Sequence, residues 1–222
     1  MHGQGVMRYQ NGNKFTGKFK AGKLHVGEMI YENDQESYIG QWINDVQDGE
    51  GMMKFANGEI YKGAWRDGLM HGQGLQSYPD GSEFYGTYED GSKVSGKFKY
   101  ANGDLFVGEF KDGLKDNGIM KYSDGREFSG DFKDGRRKCG TLKFTNGDKY
   151  DGMYDDNGLM SGCGIMNYAN GDYYSGDFVH GLMHGSGKMK YSNGAIYMGQ
   201  FLYDLLDGDG EYTYPDKTVY SG

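Results

Sequence analysis

Residues Tyr61–Glu83 read YKGAWRDGLMHGQGLQSYPDGSE, and the same pattern begins again at the next residue, Phe84. The pattern is aromatic-x-Gly-x-aromatic, then paired glycines, then a third aromatic followed by Asp-Gly. It recurs along the chain with a period of about 23 residues. Self-similarity at such a period is typical of a repeat protein, in which each repeat packs only against its neighbours.

The repeats predict that residues 1–222 form a single array. A half repeat occupies residues 2–14, and a truncated repeat starts at Tyr220. Complete repeats begin at residues 15, 38, 61, 84, 106, 128, 150, 174 and 197.

Each repeat predicts two β-strands. The first strand follows aromatic-x-Gly-x-aromatic, as in Phe128–Phe132, and the second follows Gly-x-apolar-x-aromatic, as in Gly118–Tyr122. Both alternate with period two, which is the strand signature. Asn-Gly or Asp-Gly then leads to the next repeat, and this dipeptide favours a tight hairpin turn. A longer link, such as residues 67–72, is expected between the two strands within a repeat. The sequence therefore predicts an all-β fold, an elongated, twisted, single-layer antiparallel sheet of hairpin repeats.

Departures from the pattern predict irregular loops. The Asn-Gly or Asp-Gly signal is lost at Asp34-Gln35 and Asp216-Lys217, and aspartate replaces glycine at Asp45 and Asp204. The repeats from Phe84, Phe106 and Phe128 also have a shorter link between their two strands.

One face of the predicted sheet is aromatic. The two rings of the first strand lie on the same side with a glycine between them, which leaves room for rings to cross the backbone. We expect this face to pack the sheet and also to form a partner-binding groove. Its predicted groove residues are Tyr61, Trp65, Phe84, Tyr88, Phe106, Phe110, Phe128 and Phe132.

Composition and motifs exclude several functions. A net charge of −8 and a pI of about 5.1 disfavour nucleic acid as a partner. Nucleophile elbows, zinc-protease motifs and phosphate loops do not occur, so we expect no catalytic residues, cofactor or metal. The two cysteines, Cys139 and Cys163, are predicted to be free thiols in a cytoplasmic protein.

The repeated residues resemble the MORN repeat family, and the clearest match is Tyr61-x-Gly63-x-Trp65 with His71-Gly72-Gln-Gly74 and Tyr78-x-Asp80-Gly81. The resemblance implies a β-sheet solenoid whose sheet forms a groove. It implies a non-enzymatic scaffold that binds a partner protein in a cytoskeletal, ciliary or flagellar (axonemal) assembly. It also implies an alternative, a peripheral module that binds phosphoinositides or other anionic lipids.

A basic row on the opposite face could serve that alternative. Its predicted residues are Lys99, Lys121, Arg136, Arg137, Lys138 and Lys143. The competing interpretation is a solvated face on which lysines lie opposite acidic residues such as Glu109 and Asp131. Unpaired edge strands could additionally join copies of the chain into a homo-oligomer.

Overall fold

The structure, a computed structural model, describes residues 1–32 and 35–222, and within those ranges it contains twenty β-strands and no helix. The chain divides into two units, residues 1–113 and 114–222. Unit 1 contains β1 (Gly3–Arg8), β2 (Lys14–Lys20), β3 (Lys23–Ile30), β4 (Ser37–Ile43), β5 (Val46–Lys54), β6 (Ile60–Arg66), β7 (Leu69–Ser77), β8 (Glu83–Glu89), β9 (Ser92–Lys99) and β10 (Leu105–Lys111). Unit 2 contains β11 (Leu114–Lys121), β12 (Glu127–Lys133), β13 (Arg136–Lys143), β14 (Lys149–Tyr154), β15 (Met160–Asn167), β16 (Tyr173–Val179), β17 (Leu182–Lys190), β18 (Ile196–Leu202), β19 (Leu205–Thr213) and β20 (Val219–Ser221).

The strands of each unit form one antiparallel sheet in chain order. In unit 1, β1 pairs with β2, and each later strand pairs with the one before it up to β10. Unit 2 repeats this arrangement from β11 to β20. The predicted all-β class, built from hairpin repeats, is confirmed.

The predicted positions of the tight and the long turns are wrong. The two strands within a repeat, such as β6 and β7, are joined by only two residues, Asp67 and Gly68, which have φ of +50° and +82°. Two successive positive φ values are the mark of a type I′ hairpin turn, whose twist matches that of the strands. Most of the expected longer link, including His71 and Gly72, instead forms the first part of strand β7.

The Asp-Gly and Asn-Gly dipeptides that end the repeats, such as Asp80-Gly81, belong to the longer connection between repeats. After β7, the Tyr78 N–H donates to the Ser82 carbonyl at 2.9 Å, and the Gly81 N–H donates to the Tyr78 carbonyl at 3.0 Å. The Asp80 carboxylate accepts the Ser82 N–H at 2.8 Å. Aspartate thus stabilises the turn through its side chain, and only the glycine needs a positive φ.

The predicted irregular loops are also wrong where the structure describes them. Asp45 and Asp204 adopt positive φ values of 68° and 69° in ordinary two-residue turns. Their carboxylates accept the backbone N–H groups of Leu24 and Met183 in the preceding repeat, at 2.8 and 2.7 Å. These hydrogen bonds offset the strain of a non-glycine residue in the left-handed region. Lys217 likewise takes a positive φ of 76° in an intact turn, whereas Asp34 lies outside the described residues.

The core of each unit is a chain of aromatic rings that we call the aromatic ladder. It consists of the first and second rings of each repeat, such as Tyr61 and Trp65 in β6. Within each unit, the first ring contacts its own second ring and the second ring of the following repeat. The ring centroids lie 5.0–5.9 Å apart, and the ring planes meet at 77–90°. Edge-to-face pairs of this kind add about 0.5–1.5 kcal/mol each beyond the burial of their surface.

Paired glycines make room for the ladder. Gly63 of β6 and Gly74 of β7 lie directly opposite each other, and the Tyr61 ring crosses both of them. A Cβ atom on Gly74 would overlap that ring. In the repeat from Phe15, a Cβ on Gly17 or Gly27 would lie 2.7 or 2.6 Å from the Phe15 ring. The predicted role of the glycines, to let rings lie across the backbone, is confirmed.

The first ring of a repeat is matched to the position of a β-bulge. Where the ring is tyrosine, the bulge follows the strand glycine directly, as between Gly63 and Trp65. The hydroxyl then donates to the carbonyl three residues on, as from Tyr61 to Ala64 at 2.9 Å. The same hydrogen bond starts from Tyr38, Tyr150, Tyr174 and Tyr197 at 2.9–3.1 Å.

Phenylalanine occupies the first position where the bulge lies one residue later. In the repeat from Phe84, Thr87 still pairs with Ser95, and the register shifts between Thr87 and Tyr88. The repeats from Phe15 and Phe128 show the same late shift. In these repeats the strand pairing stays regular for one residue beyond the glycine pair, and the second strand is shorter than β7. No backbone carbonyl is released there, and the first ring carries no hydroxyl.

The match between ring and bulge predicts that two conservative substitutions, each the reverse of the other, both destabilise the chain. Tyr61→Phe should leave the Ala64 carbonyl without its donor, and Phe84→Tyr should bury a hydroxyl, because the carbonyl of Thr87 lies in a regular ladder. We expect each to lower the free energy of unfolding by about 1 kcal/mol or more. Urea unfolding followed by the fluorescence of the two tryptophans, Trp42 and Trp65, measures both. Tyr85→Phe, whose ring is exposed, is the control, and equal midpoints for all three variants would contradict the match.

Candidate functional site

The predicted groove residues belong to the aromatic ladder. In unit 1, Tyr61, Trp65, Phe84, Tyr88 and Phe106 are buried, whereas Phe110 is half-buried. In unit 2, Phe128 and Phe132 are buried. Because these rings pack mainly on one another and on glycine, a partner on this face would first meet the side chains beside them.

A row of half-buried aromatic residues lies beside the ladder on the same face. Each of its residues follows directly after the second strand of a repeat, and we call this row the rim. Tyr78 stacks on Phe98 with centroids 5.5 Å apart, and Phe98 contacts Tyr100 at 4.5 Å. The rim of unit 1 comprises Tyr9, Tyr31, Phe55, Tyr78 and Tyr100, and the corresponding half-buried residues of unit 2 are Tyr122, Phe144, Tyr168 and Tyr191.

In unit 2 this face opens into a cavity of about 520 Å³ that we call the methionine cavity. Four methionines from β15 and β17 line it together with the rings of Tyr168 and Phe178. Asp172 and Asp204 lie at the same cavity. Burial is the largest cause that raises the pKa of Tyr168 to about 12, and the charges of these two carboxylates add to it. The methionines are Met160, Met166, Met183 and Met189. Flexible thioether side chains suit a surface that adapts to its ligand.

The predicted basic row lies on the opposite face, but part of its charge is paired. Lys121 and Lys143 reach the Glu127 carboxylate at 3.5 and 3.0 Å, and these contacts hold the pKa of Glu127 below its usual range. Lys99 is exposed opposite Glu83. The prediction that Asp131 lies opposite a lysine is wrong, because its carboxylate accepts hydrogen bonds from Asn117 and Cys139 instead.

The three basic residues of β13 do not form one patch. Strand alternation leaves Arg136 and Lys138 exposed, whereas Arg137 turns to the aromatic face. Its guanidinium carbon lies 4.8 Å from the centre of the Tyr154 ring and 5.9 Å from that of Phe128. Arg136 donates to the carbonyl of Asp156 at 2.6 Å.

Cations on the aromatic face are the feature that the sequence analysis missed. In most repeats the residue opposite the second ring is apolar or glutamine, such as Gln47 or Met70. Lys93 and Arg137 occupy the same position in the repeats from Phe84 and Phe128. Lys93 lies 5.2 Å from the Tyr78 ring centre, and burial lowers its pKa. This position is the ninth after the first ring of a repeat, and comparing it across the repeats would have revealed both cations together with a third, Lys115, in the repeat from Phe106.

Thiols and carboxylates in the described residues do not form a metal site. The two cysteines are free, as predicted, and donate to Asp131 at 3.3 Å and Asp177 at 3.4 Å. Within residues 1–32 and 35–222, no group of three or more His, Cys, Asp or Glu side chains could hold a metal ion. None of these described residues belongs to a helix with the length and hydrophobicity that a membrane crossing requires.

The sequence pattern of the MORN repeat matches eight segments, residues 1–14, 38–60, 61–83, 84–105, 106–125, 150–173, 174–196 and 197–219. These segments cover well over half of the chain, which therefore belongs to the MORN repeat family. Unmatched segments nevertheless contain strands with the same glycine pairing, as between β12 and β13. No curated protein sequence gives a significant match.

Two solved structures are among those to which the chain shows similarity. One is the wild-type TCP10 domain of Danio rerio CPAP in complex with a peptide of Danio rerio STIL, with 13% identity, a TM-score of 0.37, and coverage of 99% of this chain and 93% of that chain. The other is the SAS-4 (dCPAP) TCP domain of Drosophila melanogaster in complex with a proline-rich motif of Ana2, with 12% identity, a TM-score of 0.31, and coverage of 79% and 84%. Similarities at this level do not indicate what the present chain binds.

The buried tyrosines of the ladder predict an alkaline limit to stability. Burial raises the pKa of Tyr61 to about 12 and that of Tyr150 to about 12, from about 10 in an unfolded chain. Because the folded state favours the neutral hydroxyl, this contribution is fully present below pH about 10 and is lost as the pH rises through about 12.

We therefore expect the urea midpoint to fall steeply between pH about 10 and pH about 12. Tyr61→Phe should make the fall shallower when unit 1 is followed by tryptophan fluorescence. A midpoint that stays constant over this range would contradict the prediction.

Proposed function

We propose that this chain is a non-enzymatic scaffold whose aromatic face binds a segment of a partner protein. The methionine cavity is the main support, because it joins adaptable apolar side chains to rings that the ladder holds rigidly in place. An apolar side chain of the partner would enter the cavity, and the rim would contact the residues beside it.

The setting that we propose is a cytoskeletal, ciliary or flagellar (axonemal) assembly, and this rests on membership of the MORN repeat family. Imaging of the tagged chain in its own cells tests the setting separately from the binding face. A diffuse signal that leaves with detergent extraction would contradict a cytoskeletal setting.

The alternative, a module for phosphoinositides or other anionic lipids, has less support. Two lysines of the predicted basic row, Lys121 and Lys143, share the Glu127 carboxylate. The chain also carries a net charge of −8, which opposes binding to an anionic surface. Self-association through edge strands is a separate possibility that light scattering over a range of concentrations would test.

A pair of matched variants tests the binding face. Tyr168→Glu puts a charge on the half-buried rim residue that follows β15 and lines the methionine cavity. Ile165→Glu puts the same charge on the exposed opposite face of β15. We expect partner capture from native cells, quantified by mass spectrometry, to fall at least tenfold with Tyr168→Glu and to persist with Ile165→Glu.

The reverse pattern would place the binding surface on the other side of the sheet and contradict the proposal. Circular dichroism of both variants confirms that the sheet is retained. Flotation of the chain with phosphoinositide-containing vesicles at physiological salt provides the comparison for the lipid alternative.

A further inference from the structure

A second cavity of about 470 Å³ opens in unit 2 around Arg137 and Tyr154. Its lining contains the cations Lys133, Arg136, Arg137 and Lys138. Three carboxylates, from Asp134, Asp155 and Asp156, lie around the same cavity. The lining therefore has an excess of one positive charge.

Two hydrogen-bond donors at this cavity are buried and lack an acceptor. Neither Nη1 of Arg137 nor the hydroxyl of Tyr154 has a hydrogen-bond partner among the described residues. Nη2 of the same guanidinium donates to the Gly158 carbonyl at 2.8 Å, which holds the group in place over the Tyr154 ring. Buried donors without partners cost folding free energy, so their presence together calls for an explanation.

Comparison with unit 1 shows how a hydroxyl in this position can be satisfied. Tyr88 is the second ring of its repeat, as Tyr154 is, and its hydroxyl donates to Oε1 of Gln76 at 2.9 Å. Gln76 precedes Tyr88 by twelve residues in the sequence, and the residue twelve before Tyr154 is Leu142, which is buried and has no acceptor in its side chain. The protein therefore supplies an acceptor in one repeat and leaves it out in the other.

The charges around the cavity favour a carboxylate over a phosphate group. Asp155 accepts the backbone N–H groups of Asn157 and Leu159 at 2.9 Å each, and these bonds help to hold its pKa below the usual range. It therefore stays ionised and opposes a dianion. A carboxylate carries one charge and two acceptor oxygens, which match the excess charge and the two free donors.

We propose that this cavity binds the carboxylate of an aspartate or glutamate in the partner segment, with one oxygen on Arg137 Nη1 and the other on the Tyr154 hydroxyl. The inference rests on the proposed function, since the site lies on the same face as the methionine cavity. Tyr154 pairs directly with Met160, which lines that cavity.

The spacing of the two cavities limits the sequence of the partner. Tyr154 and Phe178 lie in corresponding strands of adjacent repeats, two strands apart, which corresponds to about 10 Å. An extended segment covers this distance in about three residues. The partner should therefore carry an acidic residue about three positions from an apolar one.

Peptide binding tests the inference on the full chain. The probes are two capped tetrapeptides with leucine at the fourth position and either glutamate or glutamine at the first. We expect the glutamate peptide to bind about tenfold more tightly, as hydrogen bonds to a charged group allow. Arg137→Met should abolish the difference and Tyr154→Phe should reduce it. Lys115→Met, which removes a cation over the Phe132 ring, should leave it unchanged.

Stability provides an independent readout. Because Tyr154→Phe removes a buried donor that lacks an acceptor, we expect it to raise the Tm of the free chain by about 2–4 °C. A lower Tm would show that the hydroxyl is already satisfied, and it would overturn the inference.

Equal affinity for the two peptides, or no binding of either, would also overturn it. So would tighter binding of inositol trisphosphate, which would assign the site to a phosphate headgroup. If Tyr168→Glu abolishes partner capture while Arg137→Met and Tyr154→Phe do not affect it, the proposed function stands and only the carboxylate site fails.

Discussion

The packing of one aromatic ring over two paired glycines is the contact on which each unit depends. A sheet without a second layer must bury apolar surface against itself, and glycine pairs such as Gly63 and Gly74 let the Tyr61 ring do so. Ring edges then meet ring faces from one repeat to the next, so that the core is continuous along a unit. Stability comes from many equal terms of this kind rather than from one central cluster.

The fold could be predicted from the sequence because its main signals are periodic. The alternation around each glycine specified strands, and the constant order of the repeats specified a meander. The turns could not be assigned in the same way, since Asp-Gly occurs both at the two-residue turn, as at Asp67-Gly68, and in the longer connection, as at Asp80-Gly81. What separates them is the bulge after Gly63, which lengthens the second strand, and a bulge leaves no simple mark in a hydrophobic pattern.

The choice between tyrosine and phenylalanine as the first ring of a repeat indicates where the bulge lies. Tyr61 and Tyr174 precede early bulges and donate to the carbonyls that these bulges release, whereas Phe84 precedes a late bulge. The hydroxyl is therefore part of the backbone hydrogen bonding. When tyrosine and phenylalanine are treated as one class of aromatic residue, the two kinds of repeat look equivalent. The difference in the length of their second strands then looks like a defect in the repeat.

The candidate site was harder to predict than the fold, because function on a repeat array depends on departures from the average repeat. Rings that fit the pattern, such as Tyr61 and Phe84, are buried by the packing that makes them regular. The chemistry of the proposed site comes instead from Arg137 in a position that is apolar in most repeats, and from the neighbouring group of methionines. Both depend on which side chains neighbouring strands bring together, so they emerge only once the register is known. Binding specificity in such an array should therefore be sought at positions where the side chain departs from the repeat pattern while the backbone keeps the regular geometry.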